Sequence, residues 1–376
     1  MLSGRWERGV AVGSIAVAIA IAVYTGFRIP NTWTATLDAI SLFDGFDRRF
    51  VVGTLLRPVS SLAHDNYWVF AGFSLAVLVA LLAILAREAY RGDLARRLLI
   101  VAWLVVCGGF LVHEVGYFEQ VLYVMLFAAI WLVHRGRIGA AVAIMTIAPA
   151  VHEIALLTVL PLFGLVLVRN LPFKRAAIAT AIPTLVNLAI LAVPPARGLA
   201  VQRLGAALAA SNFEPRWDAL QLFQRSQETS WSMYSFHETV VYVRPGMYVL
   251  VVAFAIAWWS DRHAWLATRD RLPGGAVLAI SCAAIALPSF LIYGGWDGNR
   301  WLFLEIGNFC VVTWLALAYR PEPLRAHVAL VLAIAMLVVS RVDIFYFDHR
   351  APRVLSYRGV RSFVRQAVDG RLYVRD

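Results

Sequence analysis

The sequence predicts an all-α fold: a polytopic transmembrane helical bundle of about eleven spans, with a cytoplasmic N-terminus and an external C-terminal tail. Three observations lead there. Hydrophobic residues make up 61% of the 376 residues, charged residues only 15%, and the mean hydropathy is +0.71; a soluble domain is roughly half apolar and about a quarter charged. Apolar runs close to the about 20 residues that a spanning helix needs recur along the chain. Basic residues gather in alternate short loops, as the positive-inside rule requires.

The first run, Val10 to Phe27, lacks a small-residue cleavage site with a polar follow-on and reads as a retained first helix. Further spans are expected at 67–86, 98–113, 117–133, 138–152, 154–168, 176–193, 247–260, 275–293, 301–318 and 328–344. A re-entrant turn is the alternative at the His152 junction. Pro30, Pro172, Pro194-Pro195, Pro245-Gly246, Pro273-Gly274-Gly275 and Pro321 mark span ends. Threaded this way, the cytoplasmic loops carry Arg5 and Arg8, Arg87 to Arg97, Arg135 and Arg137, Arg169 to Arg175, Arg262 to Arg271, and Arg320 and Arg325. The short external turns carry only Arg300.

Two external loops are long, 28–66 and 194–246, and interfacial helices are expected in them; Trp217 to Phe223 is one amphipathic piece. Residues 1–344 form the transmembrane helical domain, and 345–376 an external interfacial basic tail. In the tail Arg358, Arg361 and Arg365 share one helical face, with Tyr357, Val360, Phe363 and Val364 around another. No internal repeat is evident, which argues against the repeat-built transporters.

Cys107, Cys282 and Cys310 all lie inside apolar runs, and an odd set at that depth is no disulfide framework. Net charge is +11, and Lys174 is the only lysine. Arginine forks grip phosphate and carboxylate bidentately. In this context the basic excess points to membrane lipids and a lipid phosphate, not nucleic acid.

Charges at membrane depth are costly and usually functional, and in this threading the polar residues converge on the external side. The first loop holds Asp44, Asp47, Arg48 and Arg49 among Phe43, Phe46 and Phe50. If that segment is helical, Asp44 shares a face with Asp47 and with Arg48. A carboxylate there suits a base or a divalent cation, the one cofactor the sequence suggests, and the arginines suit a phosphate. His113-Glu114 and His152-Glu153 end two neighbouring helices, and Glu119 follows the first. No second histidine stands four residues on, so a His-Glu-x-x-His zinc site is not formed. Trp296, Asp297, Arg300 and Trp301 sit in a glycine-rich turn; Glu305 and Asn308, deeper in the same helix, are expected to support Arg300. Trp231, His237, Glu238 and Arg244 are further polar candidates in the second long loop. For each group the competing reading is structural: ion pairs within the bundle, or an aromatic belt at the interface.

The pattern resembles the membrane glycosyltransferases of the GT-C type, and is similar to polytopic proteins of bacterial surface-polysaccharide clusters, including polymerases. The resemblance rests on Asp47-Arg48-Arg49, Gly116-Tyr117-Phe118-Glu119-Gln120, His152-Glu153 and Asp297-Gly298-Asn299-Arg300-Trp301. It implies a glycosyltransferase or glycan polymerase at the outer face of a bacterial inner membrane. The donor would be a polyprenyl-phosphate-linked sugar and the acceptor a glycan or lipid. It also implies that an acidic residue of the first external loop, Asp44 or Asp47, acts as base or metal ligand. On this reading His152 and Glu153 join the catalytic set. Arg48, Arg49, Arg300, Asp297, Trp296, Trp301, His113, Glu114 and Glu119 hold substrate and phosphate. No bare Asp-x-Asp motif is present in the first loop. The alternatives are a transporter or flippase for a lipid-linked or anionic substrate, and an intramembrane metal-dependent hydrolase built on His113, Glu114, His152 and Glu153.

Overall fold

A computed structural model of the chain describes residues 4–46, 48–193, 199–221, 248–249, 274–293, 298–318, 323–339, 353 and 355–369. Every element among them is helical. Helices lie over each expected span except 247–260, which falls almost wholly outside the described residues. Seven are long and apolar enough to cross a membrane, and Phe50–Leu62, Phe118–His134 and Ile138–Val151 are shorter apolar helices.

The chain opens with α1 (Gly4–Gly26), which runs against α5 (Leu94–His113). Small residues make that contact possible. A Cβ on Gly26 would stand 1.8 Å from the carbonyl oxygen of Gly109, and one on Gly108 would stand 2.7 Å from the Ala22 methyl. In lipid, where burial of apolar surface gives no advantage, such backbone approach is what holds helices together. Between these helices come α2 (Thr32–Asp38), a 3-10 turn (Leu42–Asp44), α3 (Phe50–Leu62) and α4 (Tyr67–Arg91).

The condition for Asp44 and Arg48 to share a face, a helix running through both, is not met. Ser41 caps the 3-10 turn, and Gly45 then adopts φ +122, which ends it before α3 begins at Phe50. Asp44 and Arg48 therefore share no helical face.

The second half of the bundle is built from α6 (Phe118–His134), α7 (Ile138–Val151), a 3-10 turn (Glu153–Leu156), α8 (Val159–Asn170) and α9 (Phe173–Ala192). The 14 residues of α7 rise about 21 Å, short of the ~30 Å hydrocarbon core. The chain turns at His152, whose backbone is extended at φ −160 and ψ 129. The Glu153 carbonyl freed by that break accepts from the Asn187 side chain of α9 at 3.1 Å.

Next come α10 (Leu199–Ala209), α11 (Trp217–Gln221), α12 (Gly274–Ala286), a 3-10 segment (Leu287–Tyr293), α13 (Gly298–Leu317), α14 (Pro323–Val339) and α15 (Tyr357–Val368). Helix α13 is the axis of the bundle: every residue from Arg300 to Leu317 is buried. Its Asn308 ties neighbours together, accepting from the Tyr123 hydroxyl at 2.7 Å and donating to the carbonyls of Ala284 at 2.7 Å and Thr158 at 3.0 Å. The Ala284 carbonyl needs that donor because the residue four positions on, Pro288, has no N–H.

The two long loops meet. The Tyr67 amide donates to the Asn212 side chain at 2.8 Å, and the Arg216 amide to the Thr36 hydroxyl at 3.0 Å. In α11, Ala219 and Leu220 are buried and Trp217 is half exposed, its ring lying over Gly205 of α10.

Candidate functional site

Two ion pairs form at the end of the bundle where α6 and α13 begin. The turn from α5 into α6 passes through Gly116 at φ +95, where a Cβ would meet the Thr34 hydroxyl of α2 at 2.7 Å. Glycine is required there on both counts. That close approach stacks the Tyr117 ring on Trp33 of α2, centroids 5.3 Å apart.

Arg300, in the first turn of α13, lies over this stack. Its guanidinium carbon is 4.3 Å from the Tyr117 ring centre and 5.2 Å from that of Trp301. Arg300 also donates to Oε1 of Glu119. Both side chains are about nine-tenths buried, at 10% and 9% exposure. The second carboxylate oxygen of Glu119 is buried with no hydrogen-bond partner among the described residues. The site thus combines a fixed cation, an aromatic wall and a carboxylate oxygen with an open acceptor position.

The second pair joins the first loop to the α7–α8 break. Arg49, the residue before α3, forks onto Glu153 with donor–acceptor distances of 3.0 Å and 2.7 Å. The Nδ1 atom of His152 is 3.0 Å from Oε2 of the same carboxylate and 3.3 Å from the Ile154 amide nitrogen. Those contacts belong to different protonation states, since Nδ1 must carry a hydrogen to meet the carboxylate and a lone pair to accept from the amide. The two pairs are linked by Phe118, whose ring sits edge-on to His152 at 6.0 Å and adjoins Glu119 in sequence. Arg49, His152, Glu153, Glu119, Arg300 and Trp301 are therefore assembled from four separate stretches of chain.

Other expected site residues lie elsewhere. Asp44 faces Arg57 at 3.7 Å. Burial raises its carboxyl pKa, Arg57 pulls it back, and Asp65 adds to the rise. Arg48 lies in the turn beside Arg49. His113 serves the α1–α5 contact: its Nδ1 is 3.3 Å from the Gly26 carbonyl oxygen, and its own carbonyl accepts from Arg28 at 2.6 Å. Glu114 closes α5, and its carbonyl accepts from the Gln120 side chain at 3.1 Å. Glu305 and Asn308 do not support Arg300; Glu305 accepts from Ser289, and Asn308 has the partners given above. Glu305 and Asn308 stand more than one and more than two helical turns beyond Arg300. Asp47, Trp296, Asp297, Trp231, His237, Glu238 and Arg244 lie outside the described residues. Among the described residues no three His, Cys, Asp or Glu side chains come together as a metal site, and His113 is not part of the His152 cluster.

Two residues escaped the sequence reading as site members. Tyr117 was visible only as part of a motif, though its ring is the surface under Arg300. Asp38, at the end of α2, is 1% exposed, accepts from the Ser74 hydroxyl at 3.0 Å through Oδ2, and leaves Oδ1 without a partner among the described residues. Its signal is modest: an acid within an otherwise uncharged stretch from Ile29 to Phe43.

Beneath the Arg300 cluster lies an apolar slot between α4, α5, α6 and α13. Leu111, Tyr123 and Phe303 line the end near the cluster, and Leu85, Leu99 and Trp314 the far end. Tyr123 and Phe303 sit about one helical turn below Glu119 and Arg300. No family model, curated protein or solved structure matches this chain.

Proposed function

We propose that the chain is a membrane glycosyltransferase or glycan polymerase that takes a polyprenyl-phosphate-linked sugar as donor at the outer face of a bacterial inner membrane. The observation that carries this reading is the juxtaposition at Arg300: a buried cation over aromatic rings, a carboxylate with one open oxygen, and an apolar slot one turn below. Glycosyl transfer needs those three things. In the step, an acceptor hydroxyl oxygen bonds to the anomeric carbon while the bond from that carbon to the phosphate oxygen breaks. Glu119 takes the hydroxyl proton on its open oxygen, and Arg300 meets the charge developing on the lipid phosphate. Trp33, Tyr117 and Trp301 wall the cation, and the slot below it is lined mainly by apolar side chains. The Arg49–Glu153–His152 group positions the break between α7 and α8. On this reading Glu119, beside the Arg300 cation, is the base.

The test is mass spectrometry of lipid extracts from a deletion strain complemented with wild type, Glu119→Gln or Arg300→Ala. Lipid-linked sugar is expected to accumulate in the deletion and in both variants, and to clear with wild type. Unchanged pools in the deletion would overturn the proposal.

Transport of a lipid-linked or anionic substrate is the second reading, favoured by Glu305. That carboxylate is 1% exposed in the middle of α13 and has one oxygen without a partner among the described residues, and acids at such depth often serve ion or proton pathways. On that reading Glu305→Gln abolishes activity while Glu119→Gln retains it.

A further inference from the structure

Helix α15 carries an apolar face that nothing in the described chain covers. At about 100° per residue, Val360, Val364, Tyr357 and Val368 fall in one arc, and they are 41%, 52%, 82% and 81% exposed. Arg361, Arg365 and Arg358 follow along one edge of that arc, all exposed and without an ion pair among the described residues. Ser362 and Gln366 occupy the opposite side. Phe363, on the other edge, turns inward against Tyr24 of α1, ring centroids 5.6 Å apart at 83°.

The helix is not placed at random. Arg353, four residues before it, donates to the carbonyls of Tyr24 at 3.2 Å and Phe27 at 3.0 Å and lies 4.8 Å from the Phe363 ring centre. These carbonyls lie at the C-terminal end of α1, the negative end of that helix, and α1 is one of the helices long and apolar enough to span a membrane. The contact fixes α15 at the level where α1 leaves the bilayer.

We propose that α15 is an in-plane membrane helix that binds the anionic phospholipid surface at the Gly26 end of α1. Its valines and Tyr357 enter the acyl boundary, and Arg358, Arg361 and Arg365 meet lipid phosphates. Two observations select lipid over a second copy of the chain. The apolar arc is bordered by arginines, which suit phosphates and repel their own kind, and its tether sits where a spanning helix ends. The inference is independent of the glycosyltransferase reading.

The experiment places an environment-sensitive fluorophore at Val364→Cys in full-length protein lacking Cys107, Cys282 and Cys310. The protein is reconstituted in nanodiscs of phosphatidylcholine with or without phosphatidylglycerol. The expected result is blue-shifted emission, quenched by lipids carrying a quencher in the acyl chain, only where phosphatidylglycerol is present; a probe at Gln366→Cys stays aqueous. Adding salt should reverse the shift, and Arg358→Glu/Arg361→Glu/Arg365→Glu should weaken docking by roughly a hundredfold. Emission at Val364 that stays aqueous in both nanodiscs would overturn the proposal. So would a shift that ignores phosphatidylglycerol, or one that appears in detergent and grows with protein concentration, the mark of a second copy. The salt arm uses the arginines intact, so it decides the matter even if the triple variant fails to fold.

Discussion

Glu119 and Arg300 illustrate what burial does to a charge pair. Each side chain is withdrawn from solvent, so removing one leaves the other as an unpaired buried ion, at a cost of about 3 kcal/mol. Glu119→Ala and Arg300→Ala should each destabilise the protein by roughly that amount, whereas the double variant should cost less than their sum. Thermal unfolding in detergent checks this. The Arg49–Glu153 fork is more exposed, at 16% and 19%, and Arg49→Ala should cost about 2 kcal/mol. Asp38 behaves differently. Burial holds its carboxyl well above the ordinary value of 3.8, with the Ser74 hydrogen bond opposing. The folded state therefore keeps a proton that the unfolded chain loses. The stability this contributes is present in full below the ordinary value and is lost as pH rises through the raised one. Asp38→Asn, which mimics the protonated form, should flatten that decline, so its advantage over wild type should grow with pH. Melting temperatures of both proteins across a pH series decide it.

Among the elements, α13 is held by hydrogen bonds that few residues other than asparagine could make at that position. Asn308 accepts from one helix and donates to two more, so Asn308→Leu should cost about 2–3 kcal/mol by leaving polar groups unpaired in an apolar core. The loss should be smaller if Pro288 is also changed to Ala, because an N–H would return to the Ala284 carbonyl. Stability of the single and double variants tests the point. The α1–α5 contact is equally specific. Gly26→Ala places a methyl inside the position of the Gly109 carbonyl, so the helices must part; the expected penalty is at least about 1–3 kcal/mol. The sequence announced these helices through length and apolarity. It did not announce that the charged stretch after α2 would break, because a glycine at Gly45 is compatible with a helix until neighbouring chain selects its positive φ.

For the whole molecule, the threading expects the Arg8 end of α1 and the α15 tail on opposite sides of the membrane. In intact cells a single cysteine at Gln366 should then react with an impermeant thiol reagent, and one at Arg8 should react only after the membrane is opened. Labelling of both from one side would contradict the expected orientation. The same threading put Arg49, Glu119, His152, Glu153, Arg300 and Trp301 on one side because short loops fix which helix ends are neighbours in level.

The sequence by itself determined a helical chain of membrane type, since composition and apolar run length are local properties. It also marked Arg49, Glu119, His152, Glu153 and Arg300 as candidates, because charges within so apolar a chain are conspicuous. What only tertiary structure decided is who meets whom. The charge pairs Arg49–Glu153 and Arg300–Glu119 are separated by 104 and 181 residues, and no periodicity carries information across such intervals. His113 and Glu305 have the same sequence credentials, yet packing directs one to an α1 carbonyl and the other to Ser289. Asp38 went unnoticed for the converse reason: its significance is burial, and burial is created by the helices that close over it.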